Sequence, residues 1–134
     1  MKKLIISFLL AFVAFAVLGA LFGNFIFLPQ FAIWKEAFPD AMKTSPDFVS
    51  GFVVGIIQLV AFIYLMNRLN IDNIKDGAVF GSVATVAIWL MIDLQVVSIS
   101  NIFSYDYVLT DAALSAVMGA IIGALIGWSF KKFA

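Results

Sequence analysis

The chain has 134 residues, of which 64% are hydrophobic and 12% charged, with a mean hydropathy of +1.12. Soluble domains run at roughly 45–50% apolar and about 25% charged, so this composition belongs to a membrane protein of one compact unit. Eight basic and eight acidic residues cancel and suggest no nucleic-acid partner, while the lack of cysteine and histidine excludes disulfides, Cys/His zinc sites, histidine-ligated haem and imidazole catalysis.

A transmembrane helix needs about 20 mostly apolar residues, and four segments qualify: about 4–27, 48–67, 77–99 and 109–130. The first opens like a signal peptide, with Lys2 and Lys3 before an apolar stretch and small residues at Ala14 and Ala16. Its uncharged run from Leu4 to Gln30 is longer than a signal core, so it reads as helix 1.

Residues 28–47 carry three prolines and several aromatics, which predicts a broken segment at the outer interface. Phe31, Trp34 and Phe38 form a membrane-facing stripe along it, an aromatic anchor or a lid over an outer pocket. Ser45-Pro46-Asp47 then starts helix 2, with Asp47 as its cap.

Lys2, Lys3, Arg68, Lys75, Lys131 and Lys132 fall on one side of the spans, against Lys35 and Lys43 on the other. The positive-inside rule makes the first side cytoplasmic. The expected fold is all-α: a four-transmembrane-helix antiparallel bundle in a bacterial-type inner membrane, both termini cytoplasmic.

Helices in lipid associate where small residues let backbones approach. Every span carries a G-x-x-x-G pair: Gly19 and Gly23, Gly51 and Gly55, Gly77 and Gly81, and Gly119, Gly123 and Gly127 after Ser115. Four-step rows continue from these glycines to polar residues. The row from Gly77 reaches Asp93, and stepping back from Ser115 reaches Asp111. Gln58 follows Gly55, Asn24 follows Ala16 and Ala20, and Gln95 adjoins Asp93.

At a rise of about 1.5 Å per residue, Asp93 lies about 24 Å along helix 3 from Gly77, in the outer part of the membrane. Asp93, Asp111, Asn24 and Gln95 therefore outline an acidic outer vestibule, with Gln58 deeper and an apolar, glycine-packed inner half below. No Lys or Arg lies within a span to pair with Asp93. Three readings follow: helix glue through Asn24, Gln95 or a second subunit; a cation or proton site shared with Asp111; or a contact with Lys35 or Lys43 folding down from the outer loop.

No catalytic constellation is present. Ser115 has no histidine to activate it, and Asp-x-Gln at 93–95 matches no metal-ligand spacing, so neither enzyme activity, metal nor cofactor is expected.

The glycine-bearing first helix VLGALFGN, the aromatic segment with Trp34, and Asn101 to Asp111 opening a glycine-rich last helix together resemble the small four-helix prokaryotic integral membrane proteins grouped as a domain of unknown function. The resemblance covers most of the chain. It implies the four-span topology and marks Asp111, although Leu21 and Ala112-Ala113 stand where such proteins often carry aromatics. The functional expectation is an ion or small-solute transport protein using Asp93 and Asp111, with a non-catalytic membrane scaffold or accessory subunit as the alternative. Expected partners are the lipid bilayer and a homo-oligomer, built on the small-residue face of helix 4 or helix 1, or another membrane protein.

Overall fold

A computed structural model describes residues 1–134, and all of its regular structure is helical, with no strand. The elements are α1 (Lys2–Phe22), a π-helical turn (Gly23–Phe27), α2 (Leu28–Ala37), α3 (Phe48–Arg68), α4 (Ile74–Ile99) and α5 (Tyr105–Lys132). α1, the π turn and α2 run on as one 36-residue helix, giving four helices long and apolar enough to cross a membrane.

The broken segment expected over 28–47 is therefore confined to residues 38–47, and the first helix continues ten residues further than its apolar run suggested. Pro29, at the start of α2, would drive its ring into the carbonyl four residues back in a regular α-helix. The preceding π turn widens the backbone there, the Leu28 N–H reaching back to the Gly23 carbonyl. The helix absorbs the proline instead of ending at it.

Side-chain caps start the other helices. Asp47 accepts from the Ser50 N–H at 3.1 Å and from the Ser50 hydroxyl at 2.8 Å, as the sequence predicts. Asn73 caps α4 through the Asp76 N–H and Ser104 caps α5 through the Tyr107 N–H. α3 ends in a Schellman arrangement: Asn70 has φ +55° and the Ile71 N–H bonds back to the Met66 carbonyl at 2.9 Å. Asparagine tolerates that left-handed conformation better than a branched residue would.

The strongest packing is between α4 and α5. A Cβ on Gly77 would strike the Gly123 carbonyl, one on Gly81 the Gly119 carbonyl, and one on Gly127 the Asn73 carbonyl. Residue numbers rise along α4 as they fall along α5. Only glycine permits this backbone contact, which is the small-residue packing the sequence predicts for these two helices. Gly55 meets the Phe15 ring instead. The other three glycines depart from expectation: nothing stands within 4 Å of a Cβ at Gly19, Gly23 or Gly51. No neighbouring backbone approaches them, because α1 and α3 are held apart there.

α3 shows this directly. Phe48, Val49, Phe52 and Val53 are all exposed, on every side of the helix start, whereas Leu59, Phe62 and Met66 further along are almost fully buried. The end of the molecule that carries both termini is thus closed by Ala11, Leu59, Phe62, Met66, Ile126 and Phe130. There α1 and α5 are also joined by a buried hydrogen bond between the Ser7 and Ser129 hydroxyls. At the other end the helices diverge.

Candidate functional site

The divergence leaves a cavity of about 710 Å³ between α1, α3, α4 and α5. Small-molecule sites occupy about 300–1,000 Å³. Its walls are mostly aromatic and aliphatic, and Gly19 and Gly51, which pack on nothing, are part of them. A glycine with no packing partner here keeps the cavity wide.

Asp93 on α4 and Asp111 on α5 both line it and are only 3% and 6% exposed. The α4–α5 glycine seam brings both to this wall: with Gly81 against Gly119, three four-step advances from Gly81 arrive at Asp93 and two steps back from Gly119 arrive at Asp111, so Asp93 lies one turn beyond Asp111 along the seam. Both carboxyl groups belong to the same cavity wall. The Oδ2 atom of Asp93 is buried and has no hydrogen-bond partner. An ionised carboxyl oxygen only accepts, so this atom is open to a donor or a cation.

Gln58 is in the cavity wall, as the four-step reading places it, and its amide donates to the Thr85 hydroxyl at 3.3 Å. Two other expected members are elsewhere. Asn24 is exposed and its amide turns back to the Ala20 carbonyl at 2.8 Å, while Gln95 lies on the outer face of α4 in a shallow groove with Met91 and Ile92. Gln95 is two residues beyond Asp93, about 200° around the helix, which puts it on the opposite side. Neither can act as glue for Asp93.

The contact with a loop lysine is also ruled out. Lys35 donates to the Thr44 carbonyl at 2.7 Å and Lys43 pairs with Asp47 at 3.4 Å, both at the surface. Asp47 itself borders the cavity. The Ser50 N–H, then the Ser50 hydroxyl and Lys43, hold its carboxyl down at about 2.

Sequence reasoning passes over an aromatic cluster beside the carboxyls. Trp34 of α2 stacks on Phe103 with centroids 4.7 Å apart and meets Tyr107 edge-on at 4.7 Å, and Phe103 and Tyr107 both line the cavity. The available signal is that Tyr107 lies one four-step before Asp111. Read by composition alone, all three resemble interface anchors.

Comparison of the chain with family models, with curated proteins and with solved structures finds no match.

Proposed function

We propose that the chain is an integral membrane protein of a prokaryotic inner membrane, an antiparallel four-helix bundle with both termini cytoplasmic, that moves a cation or small solute by way of the Asp93–Asp111 pair. The distribution of six basic residues against two supports the orientation. The resemblance of the glycine-bearing first and last helices to small four-helix prokaryotic membrane proteins supports the topology.

One observation carries the transport reading: two buried carboxyls, with no Lys or Arg beside them, face a cavity walled by all four helices. Ionisable residues at membrane depth are costly, by scales that disagree, and serve function when they line such a space. A purely structural carboxyl would have its oxygens satisfied by neighbours, and Asp93 Oδ2 does not.

The test is proton and monovalent-cation flux into proteoliposomes, comparing the wild type with Asp93→Asn across a range of pH at equal insertion. The expected result is flux above empty liposomes that disappears in the variant. No flux in either protein, with unchanged stability, would leave the scaffold reading. That second reading has its own support in the apolar plug formed by Leu59, Phe62, Met66, Ile126 and Phe130, which closes the end of the bundle bearing the termini.

Any oligomer has to use a face other than the glycine ridge of the last helix, because α4 already covers it. The apolar outer surfaces of α1 and α3 are free for that role.

A further inference from the structure

We infer that the cavity takes an organic cation: an ammonium or phosphonium centre carried on an apolar or aromatic body. The inference deepens the transport reading and rests on the same site. It concerns what binds there, and binding can be measured without transport.

Sign comes first. The charged residues bordering the cavity are Asp47, Asp93 and Asp111, all acidic, with no basic residue among them. An anion would meet only like charge. Asp93 Oδ2, buried and unpartnered, supplies an acceptor still open to a ligand.

The walls decide between a metal ion and an organic cation. No group of three or more acidic side chains comes together to hold a metal. Phe15, Phe22, Phe27, Phe52, Trp89 and Phe103 line the same cavity as the two carboxyls instead. A small hydrated ion would lose its water against such rings and gain few oxygens in return. A soft cation gains from the same rings, whose faces attract positive charge, while its apolar body is buried.

The titratable groups facing the pair are Tyr107 on α5 and, at the rim, Asp47 before α3; α1 contributes none. Protons are therefore competitors of the ligand at the two aspartates.

The experiment measures saturable binding of tetraphenylphosphonium and tetraphenylborate to the full chain in nanodiscs, above empty nanodiscs. The two ions share a shape and differ in sign. The expected result is saturable binding of the phosphonium alone, weakened at least tenfold in Asp93→Asn and in Asp111→Asn. Equal binding of both ions, or of neither, overturns the inference. That wild-type comparison needs no variant, so a misfolded substitution leaves it intact. Flux serves to separate the two readings. Phosphonium binding without flux of any cation supports the inference and rejects transport. Proton or potassium flux that depends on Asp93, with no phosphonium binding, rejects the inference and leaves transport standing.

Discussion

Gly81 and Gly119 meet backbone to backbone, the carbonyl of each occupying the place where a side chain on the other would begin. A methyl group at either position forces the two helices apart, because the atom it meets is main chain and cannot rotate aside. Gly81→Ala and Gly119→Ala are each expected to cost about 1–3 kcal/mol, the range for overpacking a close-fitted interface. Gly51→Ala, with open space around it, is expected to be neutral or to gain up to about 1 kcal/mol from reduced backbone freedom in the unfolded chain. Unfolding in mixed micelles by titration with a denaturing detergent measures both, and equal effects at Gly51 and Gly81 would contradict the packing described.

The start of α3 should respond to acid. Asp47 has its carboxyl pKa lowered in the folded chain from 3.8 to about 2, so the folded state binds its proton less readily than the unfolded state does. The stabilisation is fully present above the unfolded value and is lost as pH falls from about 4 through about 2. Exchange of the Ser50 amide should quicken over that window. Asp47→Ala should show fast exchange at every pH, and Asp47→Asn, which keeps an acceptor, should remain protected and lose the pH dependence.

Gln58 and Thr85 form the hydrogen bond that links α3 to α4 across the cavity wall. A double-mutant cycle with Gln58→Leu and Thr85→Val is expected to give a coupling energy near 0.6 kcal/mol and no more than about 1.7, the range found for hydrogen bonds between membrane helices. A coupling indistinguishable from zero would mean that the pair does not hold the wall.

Pro29 and Trp34 are connected through the π turn. Such a turn inserts one residue and rotates everything after it by about 100°. Pro29→Ala removes the ring that the turn accommodates, so the helix is expected to revert toward regular α geometry and swing Trp34 away from Phe103 and Tyr107. With Trp89 and Trp128 replaced by Phe, the emission of Trp34 should shift to the red in the Pro29→Ala protein. An unchanged spectrum would show that the aromatic contacts, and not the proline, maintain the turn.

The carboxyl pair was legible in the sequence and much of its surroundings was not, for a reason that lies in helix geometry. Four residues advance an α-helix by about 400°, so a four-step row drifts about 40° per step. On α4 the row from Gly77 to Asp93 stays inward because α5 is followed along its own four-step row, glycine against glycine. On α1 no partner follows the row from Ala16, and it drifts out to solvent-side Asn24. The same rule was sound where two ridges interlock and misleading where only one exists. The continuation of the first helix through Pro29 was hidden because a proline signals a break unless the preceding turn is known to be widened. The aromatic cluster of Trp34, Phe103 and Tyr107 joins residues 73 positions apart in the chain, from Trp34 to Tyr107, and no local pattern announces such a contact.

The placing of Asp93 and Asp111 on one cavity wall also bears on how the chain enters a bilayer during synthesis. α4 reaches the insertion machinery first, with a mean hydropathy of 1.8 over its best window, the lowest of the four helices, and with Asp93 still lacking its neighbour. On insertion scales an aspartate costs about 2.5–3.5 kcal/mol at the centre of a helix and less toward its end, where Asp93 lies. α4 alone is therefore a hesitant passenger, and it becomes a committed one when α5 emerges, presents Asp111 and closes the glycine seam. Release of the last two helices to the lipid as a pair is the expected outcome, with both aspartates brought to the cavity wall at that moment.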